Sequence, residues 1–268
     1  MSASTDRLQD GTPTLELRGV NKSFGAIQVL HDVHMKVFPG QVTALVGDNG
    51  AGKSTLIKSI AGIHPVDSGE IIFEGRPVSV SGPCEAAALG IEIVYQDLAL
   101  CDNLDVVQNM FLGRERKNGV LLDEVSMEQA ARETLGRLSV RTLKSVRQLV
   151  ASLSGGQRQT VAIAKAVLWE SKLVVLDEPT AALGVAQTRQ VLDLVRRLAD
   201  TGHAVVFISH NMVDVFEVAD RVAALYLGRM AADIPISQVD RPQVIELITA
   251  GRSGDLGIAP AEVAAVEV

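Results

Sequence analysis

Gly47-Asp48-Asn49-Gly50-Ala51-Gly52-Lys53-Ser54-Thr55 fits the phosphate-loop pattern G-x-x-x-x-G-K-S/T, and its flanks are what that chemistry requires. The apolar run Val42-Thr43-Ala44-Leu45-Val46 reads as a buried strand entering the loop. Lys53 to Ala61 reads as a helix leaving it, stopped at Gly62. Glycines let successive backbone N–H groups curl around an anion, and the helix N-terminus adds its partial positive charge. Lys53 can then reach the β- and γ-phosphates of ATP, and the Ser54 hydroxyl stands where Mg²⁺ is held.

Working outward, the residues before the loop read as an antiparallel β layer. Leu15 to Val20 alternates like a half-exposed strand, Asn21 to Gly25 reads as a turn, and Val33 to Val37 reads as a strand ending at Pro39-Gly40. Glu70–Glu74 and Pro77–Val80 flank Gly75-Arg76 as a hairpin. After the short strand Glu92 to Tyr95, the stretch from about 97 to 161 turns helical. Ser126 with Gln129 and Ser154 with Gln157 both fit capping boxes. Strand and helix then alternate again, with buried strands at Leu173–Leu176, Ala204–Ile208 and Val222–Leu227 and a helical face on Val191, Leu192, Val195 and Leu198. This pattern predicts an α/β fold with a mainly parallel sheet covered on both faces. One domain over 12–251 is expected, with the helical subdomain at about 97–161 and a loose tail over 252–268.

The 268 residues are 47% hydrophobic but only 3% aromatic, as expected of a Leu/Ile/Val/Ala core, and the net charge of −7 argues against a nucleic-acid-coating protein. Cys84 and Cys101 lie far apart without a metal-ligand spacing and fit a reducing compartment. No apolar run approaches the roughly 20 residues that cross a bilayer, and Met1 to Gly11 has no signal-peptide core. The expectation is a soluble, cytoplasmic chain that reaches a membrane only through a partner.

Two further stretches carry chemistry. Asp177-Glu178 follows the buried run Leu173–Leu176, so two carboxylates emerge at the C-terminal end of a strand, the end at which open α/β sheets hold ligands. Asp177 suits a Mg²⁺ shell and Glu178 can polarise an attacking water. Leu153-Ser154-Gly155-Gly156-Gln157 opens a helix with paired glycines, a second anion site in a chain with one phosphate loop. This LSGGQ pentapeptide, with the phosphate loop before it and Leu173 to Pro179 after it, resembles the signature of ATP-binding-cassette ATPases.

The resemblance covers Leu15 to about Gly251 and implies that family's phosphate-loop fold. It implies a head-to-tail homodimer, with each ATP between one chain's phosphate loop and the other's LSGGQ helix. Residue by residue, Phe24 would stack on adenine. Gly47 to Thr55, Lys53, Ser54 and Thr55 above all, would hold phosphates and Mg²⁺, and Gln96 would sense Mg²⁺ and the γ-phosphate. Ser154, Gly155, Gly156 and Gln157 would face the opposite site, Glu178 would be the catalytic base, and His210 would touch the γ-phosphate. The family usually follows the Pro-Thr pair with Ser-Ala-Leu-Asp, where this chain has Ala181-Ala182-Leu183-Gly184. That departure bears on communication between the two ATP sites and leaves Glu178 and His210 in place.

The wording of the phosphate loop, of Asp67 to Ile71 and of Val94 to Asp97 resembles bacterial monosaccharide importers, here in a single-cassette form. That implies an ATPase docked on a separate membrane permease at the cytoplasmic face of the inner membrane. It would be served indirectly by a periplasmic sugar-binding protein and drive uptake of a sugar such as fructose, ribose or xylose. The alternative is a cytosolic cassette not coupled to transport, an assembly scaffold or a DNA-associated ATPase. Lys53 and Asp177 are 124 positions apart, too close for the long coiled coil or zinc insertion of DNA-repair cassettes.

Overall fold

The computed structural model describes residues 11–140 and 143–258. In chain order, β1 (Leu15–Phe24), β2 (Ile27–Val37), β3 (Val42–Gly47), α1 (Lys53–Ile60), β4 (Ser68–Phe73) and β5 (Arg76–Val78) open the chain. Next come α2 (Pro83–Leu89), β6 (Ile91–Val94), α3 (Val106–Phe111), a hairpin of β7 (Lys117–Asn118) and β8 (Leu121–Leu122), α4 (Glu124–Arg137) and α5 (Gly155–Val167). The last stretch holds β9 (Leu173–Asp177), α6 (Val185–Asp200), β10 (Ala204–Ile208), α7 (Met212–Val218), β11 (Arg221–Tyr226), β12 (Arg229–Pro235), α8 (Arg241–Ala250), β13 (Arg252–Ser253) and β14 (Leu256–Gly257).

Two sheets form the body. One is antiparallel with order β2-β1-β4-β5, and the other has order β12-β11-β3-β10-β9-β6. Within the second, β11, β3, β10, β9 and β6 are parallel and β12 is an antiparallel edge. The period of two along each central strand sends its side chains into two different cores. Ala44, Val46, Val174, Leu176, Val205 and Phe207 join the core shared with α5, α6 and α8. Leu45, Leu173, Val175, Val206 and Ile208 join Leu56, Ile57 and Ile60 of α1 and the inner face of the antiparallel sheet. Burial on both faces explains why these strands are nearly continuous apolar runs, and it fixes α1 between the two sheets.

The insertion packs Val106, Val107, Met110 and Phe111 of α3 and Met127, Ala131 and Leu135 of α4 against α5. Three details depart from the sequence expectation. The helix read from a Ser126 cap starts a turn earlier: Asp123 is the N-cap and its Oδ1 accepts the Ser126 N–H at 3.1 Å. An Asp one turn ahead satisfies the same orphan donors and lets Glu124 and Val125 join the helix. The insertion is not purely helical, since Lys117–Asn118 pairs with Leu121–Leu122. The tail read as loose from Arg252 begins as a hairpin of Arg252–Ser253 with Leu256–Gly257, pinned by Ile258 in the core and by the Ser253 hydroxyl on Glu246 at 2.5 Å. Residues 259–268 of that expectation lie outside the described residues.

Candidate active site

Three neighbouring strands deliver the site. β3 ends at Gly47, β9 at Asp177 and β10 at Ile208, and in the parallel register Ile208 lies beside both Leu45 and Asp177. The phosphate loop, the Asp177-Glu178 pair and His210 therefore leave the same C-terminal edge of the sheet side by side. β6 runs parallel to β9 with Val94 beside Leu176, which carries Gln96 to the same rim. The result is a cavity of about 670 Å³ lined by the phosphate loop with Gln96, Asp177, Glu178 and His210. Val29, Ala181 and Ile208 also line it, and the sequence reading assigned a ligand role to none of them.

The loop's backbone is shaped for a close ligand. A Cβ on Gly47 would sit 2.5 Å from the Leu225 carbonyl oxygen, so β11 admits only glycine there. Gly52 has φ of +103°, a left-handed backbone, and caps α1 with no side-chain hydrogen bond. The first N–H groups of α1 are thus free of a side-chain cap at the point where an anion would sit. Lys53 Nζ donates to the carbonyls of Gly47 at 2.8 Å and Asp48 at 2.9 Å, folded over the loop. Burial pushes the Lys53 ammonium below its ordinary value, against the carboxylates of Glu178, Asp48 and Asp177. Burial likewise raises the Asp177 carboxyl above the ordinary range, and the adjacent Glu178 charge adds to it. A half-buried ammonium and a half-buried carboxyl, each with its charged form disfavoured by burial, are what a polyphosphate and a divalent cation would relieve.

Glu178 Oε2 lies 2.9 Å from His210 Nδ1. The Glu178 backbone is left-handed at φ +50°, unusual for a residue with a side chain, and its N–H donates to the Ile208 carbonyl at 3.0 Å. That bond ties the carboxylate turn to the end of β10, so base candidate and histidine are aimed together.

Among the described residues no group of three or more His, Cys, Asp or Glu could cage a metal. Ser54, Gln96 and Asp177 on one cavity wall still suit Mg²⁺, which is bound through one or two carboxylates together with substrate phosphates.

Not every expected residue meets in the cavity. Phe24 does not line it. The ring is 43% exposed and stands edge-on to His64 with centroids 5.1 Å apart, so a stack on adenine is not preformed. Ser154, Gly155, Gly156 and Gln157 are also absent from the lining. The Ser154 capping box forms as expected, the Ser154 N–H reaching Gln157 Oε1 at 2.9 Å and Ser154 Oγ accepting the Gln157 N–H at 3.4 Å. Ser154 and Gly155 are exposed, as a surface awaiting a second body would be. The glycine pair packs tightly on the segment after Glu178: a Cβ on Gly155 would be 3.3 Å from Leu183, and one on Gly156 3.0 Å from Gln187.

Comparison with known proteins follows the same lines. The ABC transporter family model matches residues 30–181. The xylose/arabinose import ATP-binding protein XylG of Sulfolobus acidocaldarius is 43% identical over 91% of this chain and 97% of its own length. The fructose import ATP-binding protein FrcA of Rhizobium meliloti is 48% identical over 81% of this chain and 86% of its own. The chain spans 48% of the ribose import ATP-binding protein RbsA of Yersinia pestis, at 39% identity. Among solved structures, an ATP-binding cassette of an ABC transporter in its ADP conformation superposes with a TM-score of 0.76 over 96% of this chain and 99% of that one. At 24% identity that likeness supports the fold alone. Cavity, signature helix and relatives agree: the chain belongs to the ABC transporter family, among the ATP-binding subunits of sugar importers.

Proposed function

We propose that the chain hydrolyses ATP as a homodimer seated on a membrane permease and so drives uptake of a sugar, a monosaccharide of the fructose, ribose or xylose kind. The observation that carries the reading is the division of the machinery. Phosphate loop, Gln96, Asp177, Glu178 and His210 share one cavity, while the signature residues Ser154 to Gln157, of which Ser154 and Gly155 are exposed, stand outside it. A second chain in head-to-tail orientation would bring its signature helix over this cavity.

In the chemistry this arrangement supports, the loop amides and Lys53 hold the β- and γ-phosphates in line. Ser54, Gln96 and Asp177 would hold Mg²⁺, whose charge would offset that developing on the transferred phosphoryl group. Glu178 orients and deprotonates the attacking water, and His210, 2.9 Å from that carboxylate, would touch the γ-phosphate. The signature helix of the partner copy closes the open side and excludes water. Among the described residues no helix is long and apolar enough to cross a membrane, which fits a peripheral subunit on the cytoplasmic face, with the helical subdomain turned to the permease.

The relatives' names speak for a sugar, and their spread over xylose, arabinose, fructose and ribose fits a subunit that senses the permease and not the solute. Glu178→Gln should keep ATP binding and abolish turnover in a phosphate-release assay. Turnover at the parent rate would refute the base assignment. Uptake of labelled fructose, ribose and xylose in cells lacking the chain should fall for one of them; undiminished uptake of every sugar would refute the transport reading.

A further inference from the structure

The turn carrying Glu178 and the loop carrying His210 are cross-linked twice. The outer contact, Glu178 Oε2 to His210 Nδ1, is open to solvent on one side, the His210 side chain being 77% exposed and that of Glu178 17%, and a contact whose histidine stands in solvent holds geometry weakly. Beneath it the Thr180 hydroxyl donates to Asp214 Oδ2 at 2.8 Å. Thr180 is 9% and Asp214 4% exposed, so this second bond is made in the low-dielectric interior, where it is strong when made and costly when lost. Thr180 lies two residues after Glu178, and Asp214 lies in the first turn of α7, four after His210. The two bonds therefore span the same two segments, one at the reacting surface and one under it.

The surroundings show what the buried bond has to hold. The left-handed Glu178 backbone persists only if its neighbours over-determine it. On the other segment, the Ser209 hydroxyl accepts the Asn211 N–H at 3.0 Å, and Asn211 Oδ1 caps α7 through Val213 N–H at 3.0 Å. The His210 loop is thus held by local hydrogen bonds of its own, and the Glu178 turn is joined to it through the Ile208 carbonyl and Asp214.

We propose that the buried Thr180–Asp214 hydrogen bond is the positioning element of the hydrolytic site, aiming Glu178 at the attacking water and at His210. The proposal rests on Glu178 being the base. A carboxylate displaced by about 1 Å costs on the order of 10–100-fold in the chemical step, while the phosphate loop, which binds ATP, is untouched.

The test is steady-state ATP hydrolysis by the full chain carrying Thr180→Val, Thr180→Ser or Asp214→Asn, with circular dichroism as the check of folding. Thr180→Val should lower kcat about 10–100-fold with KM for ATP within about two-fold of the parent. Thr180→Ser, which restores the hydroxyl, and Asp214→Asn, which keeps an acceptor oxygen, should stay within a few-fold of the parent. In the Glu178→Gln background, single-turnover rates should not change on adding Thr180→Val, because the effect runs through Glu178. A folded Thr180→Val variant with parent kcat, or one that slows Glu178→Gln by the same factor as the parent, would overturn the clamp. Should Thr180→Val not fold, the double variant Thr180→Val/Asp214→Leu leaves no buried polar orphan and must show the same loss of kcat. Glu178→Gln turning over at the parent rate would refute the base itself, a result separable from failure of the clamp alone.

Discussion

Asp177 and Lys53 line the same cavity, and burial disfavours the charged form of each. Because the folded-state pKa of Asp177 is raised, ionising it costs stability. The cost builds as pH rises from the ordinary carboxylate value through the raised one, and it is complete above that. At neutral pH Asp177→Asn should therefore raise the melting temperature of the nucleotide-free protein while weakening its stabilisation by Mg²⁺-ATP. Thermal melts with and without Mg²⁺-ATP check both halves, and a variant that melts lower without nucleotide contradicts the reading. Lys53→Ala removes the cation folded over the Gly47 and Asp48 carbonyls and should abolish nucleotide binding in a fluorescent-ATP titration. Binding at parent affinity would mean that the loop does not hold the phosphates.

At the scale of elements, the helical insertion hangs on a few polar joints as well as on its apolar seam. Asp105 caps α3 in a complete capping box, its Oδ1 accepting the Gln108 N–H at 2.7 Å, and it also meets Arg147 at 3.3 Å. Arg147 reaches Glu128 of α4 at 2.7 Å as well, so one guanidinium ties the start of α3 to α4. Asp105→Ala should cost about 1–2 kcal/mol in denaturant unfolding, most of it from the lost cap; a change under about 0.3 kcal/mol would show the cap to be redundant. This joint illustrates what could be read in advance. The Ser154 cap stands next to a strong periodic run and forms as the residues suggest. At Ser126 two good caps compete within one turn, and Asp123 wins because its helix gains Glu124 and Val125. The two short hairpins, Lys117–Leu122 and Arg252–Gly257, carry too few residues to show a period of two; the first is exposed and turns at Asn118-Gly119, with Gly119 left-handed at φ +66°, and the second packs on α8 and β12.

At the scale of the whole molecule, strand order is what gathers the site. A phosphate loop, an acidic pair after a strand and a histidine after another strand are each legible in the chain. That they line one cavity follows from β3, β10 and β9 being neighbours, a fact about topology that no short stretch contains. Val29, Ala181 and Ile208 had no chemical signature and belong to the lining only because those strands bring them there. Phe24, given an adenine contact by the family resemblance alone, has its ring edge-on to His64 outside the cavity. Ser154 and Gly155 at the start of the signature helix and Val185, 83% accessible, are exposed outside that cavity.

Light scattering of the Glu178→Gln chain, loaded with Mg²⁺-ATP and then with ADP, tests that account most directly. With ATP the mass should be twice the 28.5 kDa of one chain, and with ADP it should fall back to one. A single-chain mass at saturating ATP, persisting when the permease is supplied, would contradict the claim that two copies build each chamber.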